Sequence, residues 1–579
     1  MLNDLYTPQG ETLCQTPWQE YPRPQMKRES YVNLNGRWEF AVSNTEALPK
    51  AYDKQILVPF CPESLLSGRK ESVEPGSYLY YRRGFSLPEN FIKDRVLLHI
   101  GAADQITRVY VNGKFMGGNT GGYNAFSVDI TDALEQENEL IVSVFDDLRS
   151  KVLPYGKQCL KRGGMWYTPV SGIWQTVWLE SVPADYIRQL DIQVTKTAAT
   201  ITITPALEGA VVLEGKRYPL QQGRVEVSPA NPHLWSPEDP YLYRFSVETE
   251  KDSVESYFAL RTLEVKTYEG IPRLCLNGEP YFFHGLLDQG YWSDGIYTPA
   301  TAECYAADIL EMKRLGFNTL RKHIKVEPEQ FYYDCDRLGV VVFQDMVNNG
   351  DYSFFRDTAL PTVGLQKLND TRLHRDGETR KAFLQSMEKT YAQLKNHPCI
   401  CYWTIFNEGW GQFCSEDAYE QLKKLDSSRF IDATSGWFRR KKTDVDSRHI
   451  YFSPWSTLKS SDKPLVLSEF GGYAYAVERH LFNEEKAYGY KTCKTGEQFQ
   501  TAMAELYVTK VLPAVERGLC AAICTQVSDV EDEINGMLTY DRRVNKADAE
   551  SMQQIAQALR DAFLKSCGLP ADTDPLPEG

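Results

Sequence analysis

The chain has 579 residues, 42% hydrophobic and 25% charged, with a formal net charge of -14. Those proportions exclude a disordered, collagenous or low-complexity chain, and at about 150 residues per domain the length suggests about four domains, or fewer if one is a large barrel. The negative charge disfavours nucleic acid, whose phosphates favour the opposite sign; the densest basic run, Arg439-Arg440-Lys441-Lys442, is short and reads as a solvated loop.

Met1 to Tyr6 lacks the basic head and apolar run of a signal peptide, and no later stretch is long enough to span a bilayer. A cytoplasmic protein with no membrane partner is therefore expected. The 13 cysteines are odd in number and scattered, without a C-x-x-C pair. They predict free buried thiols, with neither a disulfide scaffold nor a zinc site.

Residues 30 to 182 read as short strands between turn signals, among them Gly36 to Val42, Tyr78 to Phe85, Arg95 to Ile100, Thr107 to Val111, Leu140 to Val144 and Gln175 to Leu179. Asn112-Gly113 marks a hairpin, because both residues tolerate positive φ. With no amphipathic helix of useful length between the strands, residues 1–182 are expected to form a jelly-roll β-sandwich. Residues 183–262 carry four further strand patterns, Ile187 to Val194, Ala199 to Thr204, Arg224 to Val227 and Tyr243 to Glu248, and the turn prolines Pro229, Pro232, Pro237 and Pro240. That is the size and texture of an immunoglobulin-like sandwich.

From 263 to 579 apolar strand runs alternate with helical ones. The strand candidates are Tyr281 to His284, Asn318 to Arg321, Val340 to Phe343, Ile400 to Phe406, Phe430 to Ala433, Ile450 to Phe452, Leu465 to Ser468 and Leu519 to Thr525. Helical spacing marks Glu303 to Leu315, Pro328 to Leu338, Glu378 to Lys395 and Ala547 to Lys565. Eight strands with helices between them predict a parallel (β/α)8 barrel, here followed by a frayed tail from Leu569 to Gly579.

Such a barrel keeps its reactive groups at the carboxyl ends of its strands. Two ends stand out: the fourth strand runs into Asn407-Glu408-Gly409-Trp410, and the seventh into Ser468-Glu469-Phe470-Gly471-Gly472. Two carboxylates facing one another across a barrel mouth suit glycosidic bond cleavage, one protonating the leaving oxygen while the other attacks the oxocarbenium-like centre. Their like charges and partial burial are expected to raise one pKa and keep that carboxyl protonated.

At this point the chain resembles glycoside hydrolase family 2, the β-galactosidase, β-glucuronidase and β-mannosidase group. The similar segments are Leu34-Asn35-Gly36-Arg37-Trp38, Val109 to Gly113, Ser171-Gly172-Ile173-Trp174, Asn231 to Pro237, Leu276 to Pro280, and the two glutamate segments. The resemblance implies a retaining double displacement, with Glu469 as nucleophile, Glu408 as acid and then base, and Asn407 on the sugar 2-hydroxyl. It places Arg321 and His323 near the sugar, although the Arg-to-His spacing is one residue shorter than in the family; His323 could equally hold Glu469 or Asp345. Asp345 could bind sugar hydroxyls or pair with Arg321. Tyr451 could hydrogen-bond the nucleophile or pack in the core, and Trp410 with Trp166 could form a sugar platform or pack. A carbohydrate substrate is implied, and a homo-oligomer is common in the family; no cofactor is expected.

Departures narrow the substrate. Family glucuronidases hold the sugar carboxylate with an Asn-x-Lys pair, but here the region reads Asp532-Glu533-Ile534-Asn535-Gly536-Met537, which disfavours a uronic acid. The nucleophile is followed by Phe470, not the His of large β-galactosidases, which leaves no ground for their magnesium. The Asp that the first domain of family members often lends to the site is missing near Gly164-Met165-Trp166, and Gln526 stands where a Trp is common in the family. The first expectation is an exo-acting enzyme on neutral β-hexosides, β-galactoside ahead, with other family specificities open; the alternative is a non-catalytic carbohydrate-binding protein on the same scaffold.

Overall fold

The computed structural model describes residues 2–362, 369–451, 454–459 and 461–571. In the first 182 residues a four-stranded antiparallel sheet (Tyr31–Asn33, Val177–Val182, Arg95–Ile100, Phe126–Asp129, in spatial order) faces a six-stranded one (Lys54–Val58, Gly36–Ser43, Ser77–Phe85, Asn138–Asp146, Ile106–Val111, Lys114–Thr120). Alternate side chains from both, including Trp38, Phe40, Leu79, Val96, Leu98 and Val142, fill one apolar core. Asn112 and Gly113 have φ of 50° and 76° and turn the chain between the paired Val111 and Lys114, as the sequence predicts.

The second sandwich pairs a three-stranded sheet (Gln189–Val194, Ala199–Thr204, Arg224–Val227) with a four-stranded one (Lys216–Pro219, Gly209–Leu213, Tyr243–Thr249, Ser253–Phe258) around its own core. A small antiparallel sheet follows (Leu263–Tyr268, Ile271–Leu276, Glu279–Pro280). Its strands alternate and turn tightly, a pattern that the sequence reading merged into the barrel.

The barrel strands are β1 (Phe283–Asp288), β2 (Thr319–Lys322), β3 (Val341–Asp345), β4 (Ile400–Asn407), β5 (Phe430–Ser435), β6 (Asp446–Ile450), β7 (Leu465–Gly471) and β8 (Leu519–Thr525). All ladders are parallel, in the order β5-β4-β3-β2-β1-β8-β7-β6. No ladder joins β5 to β6 among the described residues. Side-chain hydroxyls bridge that seam instead, Ser435 to Ser468 at 2.9 Å, Ser447 to Ser468 at 2.6 Å and Ser435 to Ser447 at 3.3 Å. The seam explains a displaced strand. The sequence places β6 on the apolar run from Ile450, but the ladder runs through Asp446-Ser447-Arg448-His449-Ile450, whose polar side chains serve the seam and the site. Of the rest of the expected strand, Tyr451 lies just past the ladder and Phe452 lies outside the described residues.

Helices α1 (Glu303–Arg314), α2 (Glu329–Leu338) and α3 (Gly377–Leu394) lie where apolar spacing predicts them. The next two, α4 (Ser415–Leu425) and α5 (Gly496–Leu506), were not anticipated, although each buries an apolar face at helical spacing, Ala418 with Leu422 and Phe499 with Ala502, Met503 and Leu506; α6 (Ala549–Ser566) closes the chain as expected. The stretch read as a long loop after β3 contains short helical turns at Phe354–Ala359 and Asp370–Arg372; residues 363–368, like residues 572–579 of the expected tail, lie outside the described residues. All thirteen cysteines are free, ten of them buried.

Trp174 seats the first domain on the barrel. It is fully buried, its indole N–H donates to the Gly122 carbonyl at 2.8 Å, and its ring meets Tyr297 of the barrel edge-on at 5.0 Å. The Tyr123 and Tyr297 hydroxyls, 2.8 Å apart, close the same contact. Trp174→Ala is expected to destabilise the protein by about 3–5 kcal/mol through lost burial and the cavity left behind, read as a lowered midpoint in urea unfolding.

Candidate active site

Arg321, at the end of β2, has no exposed surface, and its guanidinium spans the barrel mouth. Its Nε donates to Asp345 on β3 at 3.0 Å, one Nη to Asn407 Oδ1 on β4 at 2.8 Å, and the other to Glu469 Oε1 and the Ser468 carbonyl on β7, both at 3.0 Å. A planar fork with five donors can hold three strands in one register, whereas an ammonium is a point charge. Asp345 and Glu469 hold the Arg321 pKa above its ordinary value although burial opposes it. Burial raises the Asp345 carboxyl, but the Arg321 charge and the His323 hydrogen bond overcome it and keep Asp345 ionised.

Glu408 follows β4 with φ +49°, a left-handed conformation that costs a non-glycine residue about 1–3 kcal/mol. Its N–H donates to the Ser435 carbonyl at 2.9 Å, and Gly409 continues the turn at φ +80°, where a Cβ would meet Phe438 at 2.3 Å. The turn aims the Glu408 carboxyl at Glu469. One oxygen of each, together with one nitrogen of His449, lie within 4.8 Å of one another.

His449, on β6, mediates between the pair. Nδ1 lies 2.7 Å from Glu408 Oε1 and 3.6 Å from Glu469 Oε2; Nε2 faces Ser435 Oγ at 2.9 Å and the Arg321 Nη at 3.4 Å. Arginine can only donate, so Nε2 accepts and Nδ1 carries the proton toward Glu408. Burial pulls the His449 pKa down to about 4, so the ring is neutral at pH 7. With Oε1 accepting from His449, the other Glu408 oxygen is left to carry a proton toward a ligand. Burial pushes the Glu408 pKa up to about 7, against the charges of Lys157 and Arg321. The sequence reading named like charges and partial burial together; burial is the main cause. Glu469 is raised too, again by burial first, and accepts from the Tyr451 hydroxyl at 2.9 Å. Tyr451 also reaches Thr525 Oγ1 at 2.7 Å and stacks on Tyr490.

The other singled-out residues converge on the same mouth. His323 Nδ1 is 2.7 Å from Asp345, so its nearest tie is to that carboxylate, and burial lowers its pKa to about 3. With Oδ1 taken by Arg321, Asn407 turns its Nδ2 donor into the site, where it has no partner among the described residues. The Trp410 indole N–H is likewise unpartnered; its ring packs 5.3 Å from Trp166 and 5.9 Å from Tyr352. Sequence reasoning missed His449 as a site residue, although it ends a barrel strand as the glutamates do. It also missed Lys157, a buried first-domain lysine whose Nζ lies 4.6 Å from the Trp410 ring centre; no local pattern marks it. Buried Glu533, after β8, accepts from Tyr167 and, at 3.0 Å, from Asn535.

Glu408, His449 and Glu469 are spaced as a divalent cation's ligands could be. However, the Arg321 guanidinium already lies against Glu469 and the His449 Nδ1 proton against Glu408, so these donors fit proton handling better than metal binding.

Three family models match in sequence: the glycosyl hydrolases family 2 sugar-binding domain over residues 50–183, glycosyl hydrolases family 2 over 184–261, and the glycosyl hydrolases family 2 TIM barrel domain over 271–557. The chain belongs to glycoside hydrolase family 2. A β-galactosidase of Thermoanaerobacter pseudethanolicus is 25% identical over 60% of this chain, and a β-glucuronidase of Felis catus 24% identical over 67%. The alignments span 47% and 65% of those relatives, so the chain covers about half to two thirds of their length. Among solved structures, a Ruminococcus gnavus β-glucuronidase superposes with TM-score 0.71 at 18% identity, covering 93% of this chain and 100% of its own. A β-galacturonidase of Eisenbergiella tayi gives 0.67 at 17%, covering 93% and 99%. These structural likenesses establish the shared three-domain fold. Among the described residues no helix is long and apolar enough to cross a membrane.

Glu408 keeps its proton in the folded protein up to about pH 7, whereas in the unfolded chain it ionises near its ordinary value of 4.5. Between those values the folded state binds more protons, so this group's contribution to stability falls as pH rises. Glu408→Gln is therefore expected to be more stable than the parent, by about 1–3 kcal/mol at pH 7.5 and by little at pH 4.5, in unfolding measured across that range.

Proposed function

We propose that this protein is a retaining exo-β-glycosidase that removes terminal neutral β-hexosides, β-galactosides first among them, by double displacement. The observation that carries the reading is the approach of the Glu408 and Glu469 carboxyls, with one oxygen of each within 4.8 Å. A separation near 5 Å leaves no room for a water between carboxylate and anomeric carbon, as inversion would need, and suits direct attack. Glu469, ionised and aligned by Arg321 and Tyr451, attacks the anomeric carbon. Glu408 gives its proton to the leaving oxygen and later takes one from the attacking water. Asn407 Nδ2 donates to the 2-hydroxyl of the sugar, a contact that strengthens in the transition state.

The preference for a neutral sugar rests on Glu533, which would repel a sugar carboxylate, and on the lack of a lysine beside Asn535. A hexuronide is the second reading, favoured by relatives named β-glucuronidase. A non-catalytic sugar-binding role would leave the raised Glu408 and its left-handed turn without a purpose.

On the best substrate of a chromogenic β-glycoside panel, kcat/KM is expected to fall above about pH 7 as Glu408 ionises. Glu408→Gln should lose that limb, with activity down about 10²–10⁴-fold on a poor leaving group and less on a good one. A 2-fluoro glycoside should label Glu469; label on another residue, or a parent inactive on every sugar, would overturn the assignment.

A further inference from the structure

Lys157 belongs to the jelly-roll domain yet stands in the barrel's mouth. The residue is 5% exposed, and its ammonium lies 4.6 Å from the centre of the Trp410 ring and 5.7 Å from those of Trp166 and Tyr167. Burial pulls its pKa below the ordinary lysine value although the charges of Glu533, Glu469 and Glu408 oppose that, and among the described residues Nζ has no hydrogen-bond partner. Its N–H donors lie unpaired beside aromatic rings. A largely buried ammonium without an acceptor is unfavourable, and a ligand that brings acceptor oxygens relieves that. Two more donors beside it lack partners, the Trp410 indole N–H and Asn407 Nδ2. Negative charge is plentiful here; what is missing is acceptor oxygen. That combination suits the hydroxyls of a neutral sugar better than a further carboxylate, which would enter a site that already holds Glu469 and Glu533.

We propose that Lys157 is a glycone-binding residue supplied by the first domain, donating hydrogen bonds to ring hydroxyls of a neutral β-hexoside that lies against Trp410. The active site is then composite: the barrel supplies the chemistry, and the sandwich supplies the contact that reads hydroxyl positions. This assignment deepens the glycosidase reading and relies on it only for its kinetic arm.

The test uses the full-length protein with Lys157→Met and Lys157→Arg. Kinetics are read on p-nitrophenyl β-galactoside, its 3-, 4- and 6-deoxy analogues, β-glucoside and β-glucuronide; binding of free galactose, glucose and glucuronate is followed by saturation-transfer NMR. Lys157→Met should lower kcat/KM on the best neutral glycoside, and weaken the matching sugar, by about 10- to 100-fold. The parent should lose a similar factor on one deoxy analogue, and Lys157→Met should lose no more on that analogue. The Tm of Lys157→Met should stay level or rise, since an unpaired buried charge has been removed. Equal losses on every deoxy analogue, a defect confined to the glucuronide, or a Tm that falls in both variants in step with binding would each overturn the proposal. So would a parent that binds none of the sugars. Lys157-dependent binding without turnover would sink the hydrolase reading and leave this one standing.

Discussion

The site hangs on one guanidinium. Arg321 reaches from β2 to Asp345 on β3, Asn407 on β4 and Glu469 on β7, and faces His449 on β6. Strands that do not neighbour one another in the sheet are thereby tied at their carboxyl ends. Each bond also sets chemistry: it ionises Asp345, orients the Asn407 amide so that its donor faces the cleft, and forces the His449 tautomer that presents a proton to Glu408. One carboxyl is left free to hold a proton near neutrality and the other is fixed by Arg321 and Tyr451.

The rest of the fold keeps that arrangement dry. The β5–β6 seam is closed by serine hydroxyls rather than a backbone ladder, and the same hydroxyls steady His449. Desolvation, more than carboxylate repulsion, lifts Glu408 to about 7, so whatever excludes water from the mouth also sets its acidity. Trp410 and the first domain's Trp166 and Lys157 lie at that mouth, which makes the sandwich part of the site's dielectric as well as its wall.

Much of the design was legible in the residues. Alternation and turn glycines identify the sandwiches, and Asn112-Gly113 turns where positive φ is tolerated. The glutamates at the ends of β4 and β7 stand out because a carboxylate closing a fully apolar strand has no solubilising purpose. Where the pattern was polar the reading slipped. β6 begins at Asp446 rather than Ile450 because its side chains face a seam and a site, whereas α4 and α5 do carry an apolar period, Phe499, Ala502, Met503 and Leu506 in α5, that the reading overlooked.

By itself the sequence determined the three-part architecture, the eight barrel strands in outline and the two carboxylates, because periodicity, turn chemistry and strand ends are local properties. Only the tertiary structure decided how near those carboxylates lie, which one keeps its proton, that His449 stands between them, and that Lys157 from another domain reaches the cleft. Those facts depend on distance and on the exclusion of water among residues hundreds of positions apart, and no short stretch of chain encodes either.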